Sequence, residues 1–316
     1  MKIVLMEPLG ISADKLNEVS SFLKEAGHEF VSYPDRATDP DQLAARIGDA
    51  EILILANQPL REDVLSRCPN LKMISIGFTG VDHVDVEYCK SRGIALSNAS
   101  GYSTNAVAEL AIGLMIAVSR NVIACDKATR AGQDKSGLVG CELAGKTLGI
   151  VGTGAIGLKT AEIAKAIGCR LVGYSRSQRQ EALALGMEYM PLEQLMAESD
   201  IVSLHVPVTP ATKGLINAEM IGKMKENAIL INTARGPVVD SQALAQALRE
   251  GRIAGAGIDV FDTEPPLPED QPLRDCPRTV VTPHAAFATK ESMVKRAIIV
   301  FDNVRQWLAG TPINQI

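Results

Sequence analysis

Arg235, Glu264 and His284 are the residues whose types and spacing permit acid/base chemistry on an anionic substrate. Each follows a short apolar run: Arg235 comes after AILINTA (228–234), Glu264 three residues after GAGIDVF (255–261), and His284 at the close of TVVTPH (279–284). In an open α/β sheet such positions gather at the carboxyl edge, where ligands bind. An arginine fork holds a carboxylate or carbonyl oxygen. A histidine exchanges a proton near neutral pH, and a carboxylate beside it favours the imidazolium. His205 also ends a strand, in DIVSLHVP (200–207), and spacing alone does not choose between it and His284. His28, in a turn, and His83, in a Gly-rich loop, read as structural.

A second chemical signal is Gly152-Thr-Gly-Ala-Ile-Gly157, which follows the apolar run KTLGIVG (146–152) and opens a helix. In that context the first glycine permits a tight turn and the second lets the backbone approach a pyrophosphate. The third lets the helix pack closely, and the helix N-terminus, here Ala155 and Ile156, faces the phosphate charge. The next strand, CRLVGYS (169–175), leads into Ser175, Arg176, Ser177 and Arg179, where NAD-binding chains place a carboxylate for the ribose hydroxyls. An acid repels a 2′-phosphate, whereas a hydrogen bond from arginine to a charged group contributes about 1.5–3 kcal/mol. NADP(H) is therefore the expected preference, with NAD(H) as the second choice.

The elements that must position these groups are legible as an alternation of strands and helices. Lys2–Met6, Glu29–Tyr33, Glu51–Ala56, Leu71–Gly77 and Gly93–Ala99 read as strands of one small sheet, with a helix over Ser12–Ala26. Six further runs, at 146–152, 169–175, 200–206, 228–234, 255–261 and 279–284, predict a second doubly wound sheet. The fold class is α/β, with two Rossmann-like or flavodoxin-like parallel-sheet domains and a cleft between them. A last helix, Lys290–Leu308, carries Met293, Ala297, Ile298, Phe301, Val304 and Leu308 at helical spacing and must bury that stripe.

Composition bounds the alternatives. With 46% hydrophobic and 22% charged residues, 316 residues suffice for about two domains. A net charge of −5 without a basic stripe argues against nucleic acid. Six dispersed cysteines without a C-x-x-C pair suit reduced thiols in the cytoplasm and give no metal site. MKIVLMEPLG has too short an apolar run for a signal peptide, and Ala106–Val118, interrupted by Glu109, reads as a buried helix rather than a membrane span.

With these motifs in order, the chain resembles the D-isomer-specific 2-hydroxyacid dehydrogenases. The likeness is carried by GKTLGIVGTGAIG (145–157), HVPVTPATKGLIN (205–217), INTARGPVVD (231–240), GAGIDVFDTEPP (255–266) and TPHAAFAT (282–289). The resemblance implies a substrate domain of residues 1–100 with 286–316, around a cofactor domain of residues 101–285. It implies that Arg235 binds substrate, that Glu264 orients and charges the histidine, and that His284 is the acid/base. His205, Val206 and Pro207 then line the adenosine side of the cofactor pocket. Thr104, Thr212, Thr233, Ala234, Asp259 and Ala286 fall on positions contacting or flanking the cofactor. A loop reading Gly77-Phe-Thr-Gly-Val-Asp82 corresponds to the one that holds a substrate carboxylate with backbone amides, through Thr79 and Gly80. Phe78 and Phe287 depart from the family pattern, so each either reshapes the substrate pocket or simply packs. The implied reaction is NAD(P)H-linked reduction of a small 2-oxo acid such as glyoxylate or hydroxypyruvate to the D-2-hydroxy acid, by a homodimer joined near Asn121–Ala144. Alternatives are an NAD-linked D-lactate or D-3-phosphoglycerate dehydrogenase and, from another class, a nucleotide-sensing corepressor.

Overall fold

Aliphatic runs such as ILIL (52–55) and MISI (73–76) become parallel strands because both of their faces are covered. In a computed structural model, which describes residues 1–263 and 266–316, the chain divides into two units. The first comprises Met1–Ser103 and Ala288–Ile316. Its strands β1 (Lys2–Leu5), β2 (Glu29–Ser32), β3 (Ile52–Leu55), β4 (Met73–Ile76) and β5 (Ala95–Asn98) lie in the order β2-β1-β3-β4-β5, all parallel.

The terminal helix Lys290–Leu308 belongs to this unit and packs against β4, β5 and the helix Ala13–Glu25. Thr289 caps it, its hydroxyl accepting the Ser292 amide at 3.1 Å while the Ser292 hydroxyl accepts the Thr289 amide at the same distance. The Ser75 hydroxyl donates to the Val300 carbonyl at 2.9 Å, and Asn303 Nδ2 donates to the Asn98 carbonyl at 3.0 Å. The buried stripe is Ala297, Val300, Phe301 and Val304, whereas Ile298, expected inside, is exposed. The helix is rotated so that Val300 takes the inward place, which the sheet rather than the helix's own periodicity dictates.

The second unit, Thr104–Phe287, holds a seven-stranded parallel sheet. Its strands are β6 (Thr147–Val151), β7 (Arg170–Tyr174), β8 (Glu188–Tyr189), β9 (Ile201–Leu204), β10 (Ile229–Asn232), β11 (Gly255–Ile258) and β12 (Thr279–Val281). They lie in the order β12-β11-β10-β9-β6-β7-β8, so the strand order reverses beside β6 and the Gly152–Gly157 loop emerges at the switch point. Among the elements that the sequence did not announce are the helix Val122–Arg130 and the two-residue edge strand β8. The first has no buried residue and the second is too short to show a period, so neither leaves the apolar pattern by which elements are read.

The apolar helix Thr104–Ser119 packs against the helix Ala155–Ile167, β10 and β11, burying Ala111, Leu114 and Met115 among others. Among the described residues, no single helix is long and apolar enough to cross a membrane.

Candidate active site

The glycine loop is shaped by close approach. Gly152 has φ 101°, and a Cβ there would stand 2.5 Å from the His205 carbonyl oxygen. A Cβ on Gly157 would collide with the Gly152 carbonyl oxygen. Gly154 differs: nothing lies within 4 Å of the position its Cβ would take, so the loop leaves a cradle there. Gly154 is also the N-cap of the helix Ala155–Ile167, and among the described residues no side chain caps it. The Ala155 and Ile156 amides therefore have no acceptor among those residues, and with the helix dipole they present a ready anion site.

At the end of β7, Arg176, Ser177 and Arg179 are exposed and Ser175 is half-buried. No hydrogen bond or ion pair engages the Arg176 or Arg179 side chain among the described residues, so two cationic groups stand ready for an anion. One residue here gave no sequence signal: the Tyr189 hydroxyl bonds Thr153 in the glycine loop and the Arg179 amide.

His205 Nε2 lies 2.9 Å from the Ser203 hydroxyl, and burial pushes the imidazole pKa down to about 4. A ring that stays neutral at ordinary pH is a poor proton donor. That environment disfavours His205 as the proton donor. Val206 and Pro207 lead into a turn closed by Thr212, whose hydroxyl donates to the Pro207 carbonyl at 2.5 Å and accepts the Thr209 amide at 2.8 Å.

The parallel strands β10, β11 and β12 are adjacent, which brings the segments after them to one edge of the sheet. Buried Asn232 clamps the first: its Nδ2 donates to the Arg235 carbonyl at 2.9 Å and its Oδ1 accepts the Ala234 amide at 3.0 Å. Between them, Thr233 is buried and its hydroxyl has no hydrogen-bond partner among the described residues. Arg235 is half-buried, with one guanidinium nitrogen donating to the Ala234 carbonyl at 2.8 Å.

Asp259, fully buried, accepts the Thr282 hydroxyl at 2.5 Å and the amides of Ala285 and Ala286 at 2.8 and 3.0 Å. Between these anchors His284 is left-handed, at φ 54°, and its ring meets Phe287 edge-on at 5.4 Å. Glu264 lies outside the described residues.

In the first unit, β4 runs into Gly77–Asp82. The Phe78 carbonyl accepts the Ala99 amide at 3.1 Å, and the Thr79 carbonyl accepts Asn98 Nδ2 at 2.9 Å. With the Phe78 and Thr79 carbonyls tied back, the loop leaves the Thr79 and Gly80 amides without an acceptor among the described residues. Phe78 is only 7% exposed, packed edge-on against Tyr102 at 6.0 Å and His83 at 6.4 Å. The Arg296 guanidinium stands 5.3 Å from the Phe78 ring and donates to the Leu9 carbonyl at 2.7 Å.

Residues 112–286 match the family profile described as D-isomer specific 2-hydroxyacid dehydrogenase, NAD binding domain. The chain is 40% identical over 299 residues to a glycerate dehydrogenase of Methylorubrum extorquens, covering 92% of each chain. The chain belongs to the D-isomer-specific 2-hydroxyacid dehydrogenase family. A glyoxylate reductase of Thermofilum pendens is 42% identical over 291 residues, covering 90% of this chain and 85% of that one. A solved acyclic imino acid reductase in complex with NADPH and D-Arg superposes with a TM-score of 0.91 at 28% identity, covering all of both chains.

As a D-2-hydroxyacid dehydrogenase, the protein is a nicotinamide-dependent oxidoreductase acting on a CH–OH group, with small 2-oxo and 2-hydroxy acids as substrates. Its residues fit such a cofactor. The open cradle at Gly154, the free first-turn amides and the buried unpartnered Thr233 hydroxyl are features that a bound dinucleotide would complete.

Proposed function

We propose that this dehydrogenase reduces a small 2-oxo acid of the glyoxylate or hydroxypyruvate type to the D-2-hydroxy acid, drawing on NADPH in preference to NADH. Support for the substrate class comes from the glycerate dehydrogenase and glyoxylate reductase relatives and from the Thr79 and Gly80 amides, which have no acceptor among the described residues and can donate to a carboxylate. Support for NADPH comes from the exposed Arg176 and Arg179 side chains, unpaired among the described residues, where a carboxylate would repel a 2′-phosphate.

In this reading the bound reduced nicotinamide supplies the hydride. The loop amides of Thr79 and Gly80 hold the substrate carboxylate and Arg235 the carbonyl oxygen. His284 Nε2 or Nδ1 gives a proton to that oxygen as it becomes a hydroxyl, and Glu264 orients the imidazole. The reverse reaction needs the same imidazole free of its proton. Phe78, sealed against Tyr102 and Arg296, backs the carboxylate loop, and Phe287 packs on the His284 ring. Gly152–Gly157, Ser175–Arg179, His205–Pro207, Thr104, Thr212, Thr233, Ala234 and Ala286 border the cofactor.

The enzyme acts as a homodimer in the cytoplasm. Ile116, Val122, Ile123 and Val139 are exposed apolar residues, with Val139 86% exposed, and the six cysteines are free thiols suited to a reducing compartment.

A panel of 2-oxo acids assayed with NADPH and NADH tests the reading. Glyoxylate or hydroxypyruvate should give the highest kcat/KM, with NADPH favoured. Preference for pyruvate or 3-phosphohydroxypyruvate with NADH would overturn it.

A further inference from the structure

Tyr189 ends the edge strand β8, paired in register with Gly173 of β7. Gly173 makes room for it: a Cβ there would collide with the Met187 sulfur and come within 3.5 Å of the Tyr189 ring. Across that gap the phenol reaches two loops. Its O–H donates to Thr153 Oγ1 at 2.8 Å, and its oxygen accepts the Arg179 backbone N–H at 3.1 Å. Thr153 is the buried residue between the first two glycines of the phosphate loop. Arg179 closes the turn carrying Ser175, Arg176 and Ser177, and is the N-cap of the short helix Gln180–Ala184. One hydroxyl thus fixes the spacing between a loop suited to the pyrophosphate and a turn suited to the 2′-phosphate.

We infer that Tyr189 is a positioning residue for coenzyme choice, holding the 175–179 turn at a set offset from the glycine loop. Edge strand β8 otherwise has little to do. It is two residues long, and sheet pairing alone does not require a hydroxyl at its end. A phenylalanine there would keep the ring against Gly173 and lose both loop contacts, freeing the turn to move relative to Thr153. Coenzymes that use the turn only for ribose hydroxyls would feel this less than one presenting a dianionic phosphate, because charge-assisted hydrogen bonds are the stronger and more geometry-dependent kind.

The inference rests on the NADPH reading above, and its test keeps the two apart. Unliganded wild type, Y189F and T153A are titrated with NADPH and NADH, following coenzyme fluorescence, and hydrogen exchange is followed at the Arg179 amide. The ratio of the NADH Kd to the NADPH Kd should fall about fivefold in Y189F, as for loss of one ordinary hydrogen bond. Exchange at Arg179 should quicken. T153A, which removes the acceptor on the other loop, should shift the ratio in the same direction. In an R176A/R179A background, Y189F should leave the ratio unchanged, because the arginines through which it acts are gone. An unaltered ratio in both Y189F and T153A, or a shift that persists without the arginines, overturns the role of Tyr189. A wild-type ratio below one overturns the NADPH reading alone, since the response to Y189F is measured independently of it.

Discussion

The Asp259 carbonyl accepts the His284 backbone N–H at 2.8 Å, and the Asp259 carboxylate takes the next two amides and the Thr282 hydroxyl. His284 is thereby held left-handed at φ 54°, a conformation costing a non-glycine residue about 1 kcal/mol or more. The bonds to Asp259 over-determine that backbone conformation.

Replacing Asp259 by alanine should free the 282–286 segment. With His284 displaced, kcat for glyoxylate reduction should drop by about 100-fold, the scale of an ångström-sized misplacement. Steady-state kinetics on the folded variant checks this, and a kcat within threefold of wild type would contradict the anchoring role.

His284→Ala should lower kcat by about 10²–10⁴-fold, the usual contribution of a positioned acid/base, and leave the NADPH Kd within about twofold. His205→Asn should retain far more turnover, since a ring whose pKa lies at about 4 is not exchanging the proton. Equal losses in the two variants would reopen the choice between them.

Stability should follow His205 in a defined pH window. Its folded-state pKa is depressed from 6.5 to about 4, so between those values the unfolded chain binds more protons. The contribution is therefore fully present above pH 6.5 and is lost as pH falls toward 4, by at most about 3 kcal/mol. Urea midpoints measured at intervals from pH 7.5 to about 4.5 should decline less steeply in His205→Asn than in the wild type.

Gly154 and Gly152 should respond oppositely to alanine. Gly154 has a negative φ and open space beyond its Cα, so G154A should fold with an unchanged Tm but fill the cradle and raise the NADPH Kd at least about tenfold. G152A adds a Cβ against the His205 carbonyl at φ 101° and should lower the Tm itself. Calorimetry beside coenzyme titration separates the two effects.

Arg176→Ala with Arg179→Ala should lower kcat/KM for NADPH by about tenfold or more, each lost charged bond contributing about 1.5–3 kcal/mol, and leave NADH nearly unaffected. Equal losses with both coenzymes would remove the 2′-phosphate role.

The sequence by itself determined the two α/β sheets, the strand-to-helix context of Gly152–Gly157, and the placement of Arg235 and His284 after strands β10 and β12. These are local facts: a continuous aliphatic run, a glycine pattern and a turn residue act over a few neighbours and leave their mark in the chain. Boundaries were legible to a few residues, and Lys290–Leu308 matches the helix found. Environment and orientation were decided only by the tertiary structure. His205 and His284 look alike as strand-end histidines, yet burial disfavours the charged form of the one while Asp259 holds the backbone of the other. Tyr189 gave no pattern because its two partners lie 36 and 10 residues away. The neighbours of Phe78, namely Tyr102, His83 and Arg296, are likewise set by the fold and not by any local pattern. Ile298 fits a helical stripe and still faces solvent, because which side of a helix is buried depends on the sheet it meets.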